Sequence, residues 1–502
     1  MGPRTIGAML ALAALGCGSE PTYVEYAEVC GEAGPVRVLE LARGERLSRR
    51  PMQVGERVVF SVGRGAAGES GEAAPQTSAT STVWTTGLCG EAPRRIAEEV
   101  DSVFSIAQWP GVLLACDADV GEVLVLDPEG VLPPQVLLGD LEGCGVRWTA
   151  QGLIGLLKKA ATEGEAADAG LGTLLLYPLP ADPRSGTIVP VTLLDAVRIR
   201  GRENEVTGVF LSAFEEFVLA VTPEDELVRI DLADKAVSSV QTGVAGFLAD
   251  GQGRYLLWQD QTPTDDHPSF PAGKVFLRDR NDSTDVFLGQ TTVAYNASAM
   301  RFIEGGALLL ELPAIRVFSV PDMGFRDLPD LGRVTARLDE GRWLMAGKGM
   351  LNVVELASGE ATELYRGSGD ILRVLGDRVE LLQVPPCCER STLRAEGPLW
   401  SVSYEGEVRR LVARASRYGH SFKDGRRVVV VDIGGDWRGT LQLTDPETQE
   451  ALRIDGGVFA QSFVAPQVYG ADVLVYSIPE GARAGVWIAR MPAAPASEDM
   501  KD

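Results

Sequence analysis

Two carboxylates and an imidazole stand side by side in a polar stretch of the chain. Asp265, Asp266 and His267 fall within residues 261–273, between two apolar runs. Such groups are acceptable ligands for zinc or manganese. Because adjacent residues of an extended loop point in different directions, this loop alone could rarely supply more than two ligands. The sequence therefore favours a solvated polar loop over a metal site, and the three residues are kept as candidates for a binding surface.

A pair of adjacent cysteines marks a second stretch of this kind, residues 385–398. Cys387 and Cys388 are accompanied there by Arg390 and Arg394. Neighbouring cysteines bridge each other only through a strained vicinal disulfide, which would be labile and open to a redox role. The alternative is that both thiols are free or paired with other cysteines. The two arginines extend the candidate binding surface.

Motifs of the common catalytic mechanisms are missing from the sequence. It has no Gly-x-Ser-x-Gly elbow, no His-Glu-x-x-His and no Gly-x-x-x-x-Gly-Lys-Ser/Thr phosphate loop. Residues 279–285 place oxygen side chains at alternate positions as a calcium loop does, but Thr284 stands where that loop needs glycine, so a polar turn is favoured. His420 is interpreted as a structural histidine. The sequence thus predicts no catalytic residue, no metal site and no cofactor, and a non-enzymatic protein is favoured over an enzyme.

Composition places the chain among folded, acidic proteins. It has 502 residues, 45% of them hydrophobic, and 47 basic against 70 acidic side chains give a net charge of −23. This mixture is too apolar for a disordered chain. A surface so acidic repels phosphate backbones, which excludes nucleic acid as a partner.

The first seventeen residues read MGPRTIGAMLALAALGC. One basic residue precedes an apolar run that is too short to span a bilayer and fits a signal peptide. The segment Ala13–Cys17 resembles the lipobox of bacterial lipoproteins, although Ala14 stands where that family more often has Leu. The resemblance implies cleavage after residues 1–16, acylation of Cys17, a short tether over residues 17–23 and anchoring in the outer membrane. The alternative is an ordinary secretory signal followed by a free cysteine.

Export also suggests disulfides. Six cysteines remain after Cys17, and an even number in an oxidising compartment is typical of disulfide pairing. Fifteen connectivities are open. The candidates are Cys30, Cys89, Cys116, Cys144, Cys387 and Cys388.

A repeated β-hairpin organises the rest of the chain. Runs of branched or aromatic residues recur about every 46 residues, which is the period of a propeller blade with four strands. The ten runs are 57–60, 112–115, 152–155, 217–220, 255–258, 307–310, 343–346, 379–382, 428–431 and 473–476. The pattern predicts an all-β fold, a β-propeller of four-stranded antiparallel blades with seven or more blades. Two smaller propellers or a β-sandwich array are the alternatives.

Two short boxes carry a family resemblance. Residues 249–256 (ADGQGRYL) and 423–428 (KDGRRV) resemble the Asp-Gly turn and following strand of WD-like and TolB-like bacterial propellers. The resemblance implies a propeller over residues 24–492, followed by a disordered acidic tail at 493–502, but it transfers no functional residue. We expect residues 36–41 to supply the last strand of the final blade and close the ring, which removes an exposed sheet edge.

Long insertions are predicted to share one face of the propeller. Residues 63–82, 158–172, 261–273 and 385–398 all map between the second and third strands of a blade. Loops of this length carry function more often than the scaffold does. The sequence therefore predicts a lipid-anchored envelope propeller that serves as a binding or scaffold module, with the membrane and a protein or peptide as partners. The alternative is an envelope hydrolase, lyase or oxidoreductase with its site at the axial funnel.

Overall fold

The computed structural model describes most of the chain between residues 28 and 491. The described residues are 28–29, 32–64, 81–88, 91–105, 112–117, 119–141, 146–158, 171–178, 188–198, 211–260, 274–281, 284–290, 300–303, 307–310, 316–319, 324–327, 331, 333–339, 341–347, 349–355, 358–367, 369–383, 396–423, 425–445, 448, 450–460, 465–469 and 472–491. The predicted signal peptide, tether and C-terminal tail lie outside them.

Every regular element among these residues is a β-strand, and ten sheets of four or five strands follow one another. A small ribbon, β1 (Glu28–Val29) and β2 (Glu32–Ala33), and the strand β3 (Val36–Glu40) precede them. The strands of sheets 1 to 5 are as follows. Sheet 1 holds β4 (Glu45–Leu47), β5 (Met52–Val54), β6 (Arg57–Arg64), β7 (Ser81–Gly87) and β8 (Arg94–Val100); sheet 2 holds β9 (Ser102–Ser105), β10 (Leu113–Asp117), β11 (Glu122–Leu126) and β12 (Gln135–Leu138); sheet 3 holds β13 (Arg147–Thr149), β14 (Gly152–Lys158), β15 (Leu171–Pro178) and β16 (Val191–Arg198); sheet 4 holds β17 (Leu211–Ala213), β18 (Phe217–Val221), β19 (Leu227–Asp231) and β20 (Val237–Gln241); sheet 5 holds β21 (Val244–Ala249), β22 (Tyr255–Asp260), β23 (Lys274–Asp279) and β24 (Thr284–Gln290).

The strands of sheets 6 to 10 continue in the same manner. Sheet 6 holds β25 (Met300–Ile303), β26 (Ala307–Leu310), β27 (Arg316–Ser319) and β28 (Gly324–Asp327); sheet 7 holds β29 (Arg333–Arg337), β30 (Arg342–Gly347), β31 (Met350–Glu355) and β32 (Ala361–Arg366); sheet 8 holds β33 (Gly369–Val374), β34 (Arg378–Gln383), β35 (Glu396–Ser403) and β36 (Val408–Ser416); sheet 9 holds β37 (Gly419–Ser421), β38 (Arg427–Val431), β39 (Arg438–Thr444) and β40 (Ala451–Phe459); sheet 10 holds β41 (Gln467–Tyr469), β42 (Val473–Ile478) and β43 (Gly485–Arg490).

The tenth sheet is completed from the other end of the chain. Strand β3 pairs antiparallel with β43, with Val36 opposite Ile488 and Glu40 opposite Gly485. The predicted closure by the N-terminal strand is confirmed. It gives the edge of β43 a hydrogen-bonded neighbour that the C-terminal segment alone does not provide.

The ten apolar runs of the sequence form the second strands of the ten sheets. In the sheets whose side chains are described, these strands are buried along most of their length, as in β18 and β42. A second strand is covered by strands on both sides and by a neighbouring sheet on each face, which explains a continuous apolar run. Fourth strands such as β20 are largely exposed.

Successive sheets pack face to face through shared apolar clusters. Such clusters join sheets 1 and 2, 2 and 3, 3 and 4, 4 and 5, 7 and 8, 8 and 9, and 9 and 10. Another joins sheet 10 back to sheet 1, where Val475 and Ile488 pack with Val58 and Phe60. The strand order, the packing and the closure define a β-propeller, whose first strands are the inner ones. The number of blades stays a prediction.

The Asp-Gly boxes have a local physical cause. The Asp250 carboxylate accepts a hydrogen bond of 2.9 Å from the Tyr255 N–H, and the Gly253 N–H donates to the Asp250 carbonyl at 2.9 Å. Gly253 has φ +64°, a left-handed conformation that glycine adopts without steric cost. The box therefore builds the turn that starts a second strand.

The four long insertions join second to third strands, as the sequence predicts. They fall between β6 and β7, β14 and β15, β22 and β23, and β34 and β35. In an up-and-down sheet these connections lie at the end where the first strand begins. We call that end the insertion face.

Candidate binding site on the inner strands

Most of the residues singled out from the sequence lie outside the described part of the chain. They are Cys17, Cys30, Cys89, Cys144, Asp265, Asp266, His267, Cys387, Cys388, Arg390 and Arg394. The roles assigned to them from the sequence therefore stay predictions.

Cys116 is the candidate cysteine that the structure does describe. It lies on β10, fully buried, in the apolar cluster between sheets 2 and 3. It is not a free thiol. A buried position of this kind protects sulfur from reagents in solvent.

A different group of polar residues comes together on the first strands of four consecutive sheets. Arg373 lies on β33, His420 on β37, and Gln467 and Tyr469 on β41, while Arg50 follows β4. We call these five residues the inner-strand cluster. Arg373 donates a hydrogen bond of 3.4 Å to the hydroxyl of Ser421, the neighbour of His420, and β37 packs against β41.

The register of the sheets places His420, Arg373 and Tyr469 in the half of the inner strands that lies away from the insertion face. Tyr469 is opposite Val473, the first residue of β42, and Arg373 is opposite Glu380 near the start of β34. The sequence placed the candidate site on the insertion face. The described polar residues that do converge lie towards the other end of the channel.

The hydrogen bonds of Gln467 define the tautomer of His420. The amide nitrogen of Gln467 lies 2.8 Å from the carbonyl oxygen of Ala465 and 3.0 Å from Nε2 of His420. An amide nitrogen has two hydrogens and accepts none, so one goes to the carbonyl and the other to the imidazole. Nε2 of His420 is therefore the acceptor, and the ring proton is on Nδ1.

The surroundings of His420 keep it neutral. Burial lowers the pKa of His420 to about 4, and the positive charges of Arg50 and Arg373 act in the same direction. Protonation would also turn Nε2 into a donor that faces the Gln467 donor. At neutral pH the side chain is an uncharged imidazole whose Nδ1–H has no acceptor among the described residues.

Neither arginine of the cluster has a carboxylate partner in the described part of the chain. Both side chains are exposed, and the only polar contact of Arg373 there is Ser421. The two acids closest in register are engaged elsewhere: Asp370 pairs with Arg417 at 2.5 Å, and Glu380 pairs with Arg427. Among the described residues, Arg50 and Arg373 are thus positive charges without a carboxylate partner, in a chain whose net charge is −23.

An ion pair between Glu380 and Arg427 lies next to Arg373, because Glu380 is opposite Arg373 in the sheet. Glu380 is 2% exposed, and one of its carboxylate oxygens, Oε2, is buried without a hydrogen-bond partner in the described residues. Burial lowers the pKa of Arg427, whereas the charge of Glu380 raises it and Arg373 and Arg378 lower it. Arg427 therefore pairs with the buried Glu380 carboxylate, and the charges of Arg373 and Arg378 lie close enough to act on Arg427.

Tyr469 contributes a further donor. Burial raises the pKa of its phenol, and Arg50 opposes that shift. The hydroxyl stays protonated at neutral pH, and it is buried without a hydrogen-bond partner in the described residues. A buried, unsatisfied hydroxyl is costly, so a ligand that accepts its proton would gain affinity.

The cluster therefore presents hydrogen-bond donors: two guanidinium groups, one imidazole N–H and one phenol. No three His, Cys, Asp or Glu side chains gather as a metal site among the described residues. The sequence interpreted His420 as a structural histidine; the structure shows that Gln467 bonds to its Nε2, and nothing in the sequence indicated the four residues around it. Those come from segments up to about 420 positions apart, so no local motif could have revealed them.

Comparisons with known proteins add little beyond the fold. No protein-family profile and no curated protein matches the sequence. Among solved structures, a eukaryotic initiation factor is 10% identical over 69% of this chain and 85% of that chain, with a TM-score of 0.43. The β-propeller domain of the Trilobed protease from Pyrococcus furiosus is 13% identical over 74% and 98% of the two chains, with a TM-score of 0.30.

The tricorn protease is 10% identical over 84% of this chain and 42% of that chain, with a TM-score of 0.24. This chain thus spans less than half the length of that protease chain. With scores this low the likenesses carry no argument about a site. Within the described residues, no helix has the length and apolar character needed to cross a membrane.

Proposed function

We propose that this protein is a lipid-anchored propeller of the bacterial cell envelope that binds a ligand in its channel and does not transform it. The anchor is the one expected from the lipobox, with Cys17 acylated. The observation that supports binding over catalysis is the state of His420. Its Nε2 is occupied by Gln467, and an imidazole with a pKa near 4 is neutral and holds its remaining proton firmly at neutral pH.

General acid–base catalysis needs a group with a pKa near the working pH and a free atom for the proton. His420 meets neither requirement. The acids closest in register to the cluster, Asp370 and Glu380, are paired with arginines. Donors without a titrating partner are suited to holding a ligand.

An equilibrium-dialysis experiment separates binding from turnover. The purified full chain is dialysed against a metabolite extract, and each compound is quantified on both sides by mass spectrometry. A binding protein enriches a compound on its own side while the total amount stays constant. Loss of a compound together with the appearance of a new product would identify an enzyme and overturn the proposal.

The anchor is tested separately. We expect the wild-type protein to partition into the detergent phase of Triton X-114 and the Cys17→Ala variant to remain in the aqueous phase. A wild-type protein in the aqueous phase would remove the anchor from the proposal and leave the binding test unaffected.

A further inference from the structure

The inner-strand cluster is dominated by hydrogen-bond donors, and its side-chain acceptors are the Gln467 amide oxygen and the Tyr469 hydroxyl oxygen. Arg50 and Arg373 carry fixed positive charge, Tyr469 presents an O–H, and His420 presents its Nδ1–H because Gln467 already bonds to Nε2. A neutral sugar or amide ligand offers both donors and acceptors, but it would leave the charges of Arg50 and Arg373 without a counter-charge. An oxyanion offers acceptors alone.

From this arrangement, and resting on the proposed binding function, we infer that the cluster recognises a small polyanion through its carboxylate or phosphate oxygens. The two arginines belong to different sheets: Arg373 to sheet 8, which precedes the sheet of His420, and Arg50 to sheet 1, which packs against the sheet of Gln467. The charges of both arginines act on His420. A ligand with two or more anionic groups can reach both guanidinium groups. Arginine binds planar and tetrahedral oxyanions alike with paired N–H donors.

The charges around the cluster agree with this ligand class. Asp370 and Glu380 are neutralised by Arg417 and Arg427. Glu45, the acid on the first strand of sheet 1, accepts a hydrogen bond from the Ala42 N–H and lies opposite Arg64, at the insertion-face end of the strand. Counted over these described residues, the charge that an anion meets near Arg50 and Arg373 is positive, although the protein as a whole is acidic.

Ligand binding and the ionisation of His420 are coupled. An anion beside the imidazole stabilises its protonated form, so binding raises the His420 pKa, and by reciprocity the anion binds more tightly as the pH falls towards that value. The groups that act on His420 are Gln467 from β41, Arg50 from sheet 1 and Arg373 from β33.

Isothermal titration of the full chain with citrate and with pyrophosphate, at pH 7.5 and low ionic strength, tests the inference. We expect at least one of them to bind, and Arg50→Gln and Arg373→Gln each to weaken its affinity by about tenfold to a hundredfold, as loss of a charged hydrogen bond does. The matched control is Arg49→Gln, which removes the same charge one position away on an exposed side chain. We expect that variant to change affinity less than about threefold, because screened long-range attraction is weak.

The two arms distinguish the source of the oxygens, since preference for citrate indicates a carboxylate ligand and preference for pyrophosphate a phosphate ligand. Urea midpoints equal to wild type show that the variants are folded. Absence of binding by both anions, or equal losses in Arg49→Gln and Arg50→Gln, would overturn the inference. If the dialysis experiment retains a neutral compound, the inference about a polyanion is overturned but the proposed binding function stands. If an anion binds at this cluster and is then converted to a product, the proposed binding function is overturned but the anion site stands.

Discussion

His420 makes a sharp prediction about stability and pH. The perturbation is His420→Gln, in which a side-chain amide offers an oxygen close to the position of Nε2 and removes the titrating ring. Burial, with two arginines acting in the same direction, lowers the histidine pKa from 6.5 to about 4 in the folded protein. The unfolded chain keeps the ordinary value. Between these two values the unfolded state binds a proton that the native state does not bind.

The sign follows from proton linkage. Above pH 6.5 neither state is protonated at His420, so the wild-type advantage over His420→Gln is constant. As the pH falls below 6.5 the unfolded state gains the proton and wild-type stability drops, until both states are protonated below about pH 4. The pKa difference corresponds to about 3 kcal/mol in full, with about 1 kcal/mol lost at pH 5.5 and about 2 to 3 kcal/mol at pH 4.5.

The assay is urea unfolding of both proteins at pH 7.5, 6.5, 5.5 and 4.5, followed by tryptophan fluorescence. The many carboxylates titrate in both proteins, so only the difference between the two free energies of unfolding is interpreted. We expect that difference to change by about 2 to 3 kcal/mol between pH 7.5 and 4.5. Parallel pH profiles for the two proteins would refute a neutral, buried His420.

Nuclear magnetic resonance provides a direct check, because the chain has only two histidines. With ¹⁵N-labelled imidazoles, the signals that disappear in His267→Gln belong to His267, and the remaining set belongs to His420. We expect a neutral ring with its proton on Nδ1 down to pH 5. A His420 signal that titrates near pH 6.5 would contradict the hydrogen-bond assignment with Gln467.

Three further predictions concern the scaffold. Val38 lies on the closing strand and is 5% exposed. Val38→Asp should therefore lower the free energy of unfolding, measured by urea titration, by more than about 3 kcal/mol. A loss below about 1 kcal/mol would mean that β3 does not close the ring. Gly253 has φ +64°, and in Gly253→Ala the new Cβ lies 2.7 Å from a phenylalanine ring, so this change should lower the free energy of unfolding by about 2–4 kcal/mol. Gly251 has open space around it, and Gly251→Ala should lower it by less than about 1 kcal/mol. Equal losses in the two variants would contradict the packing of the turn. Peptide mapping without reduction should recover Cys116 linked to Cys144. Closing that loop should add about 3.5 kcal/mol to the free energy of unfolding. Recovery of Cys116 linked to another cysteine would refute the pairing.

The cysteine prediction shows what the structure adds to the sequence. Six exported cysteines leave fifteen pairings open, and spacing alone does not choose among them. Cys116 lies in the cluster between sheets 2 and 3, and Leu141 and Val146, which flank the connection that holds Cys144, pack in the same cluster. This packing favours Cys144 as the partner of Cys116, and the pairing stays a prediction.

The fold was readable from the sequence because its signal repeats. Ten apolar runs stand out since second strands are buried on both faces, and ten similar signals at one period are stronger than any single one. The closing role of residues 36–41 was predicted for the same reason, because a ring needs a partner for its last edge. The blade number could not be read, since hairpins on an insertion and hairpins in a blade share the same pattern.

The candidate site was not readable, because its residues have no local signature. Two of its contributing strands, β37 and β41, have only three residues each, too few for a periodic sequence pattern. His420 could be noticed as one of two histidines, but Arg50, Gln467 and Tyr469 are ordinary residues until the ring closes. The sequence emphasised the insertions, whose candidate residues lie outside the described part of the chain and stay predictions.

The position of the cluster links ligand binding to the closure of the ring. Arg50 comes from sheet 1, near the start of the chain, while Gln467 and Tyr469 come from sheet 10, which is complete only when β3 pairs with β43. The two parts meet at the interface between sheet 10 and sheet 1, where Val475 packs with Phe60. We call this interface the seam. A ligand that bridges Arg50 and Arg373 binds the closed ring alone, so it stabilises closure by an amount that rises with the logarithm of its concentration above Kd. An open seam separates the donors and abolishes the site. Weakening the seam by Val38→Asp should therefore reduce anion affinity although Val38 touches none of the proposed ligand contacts.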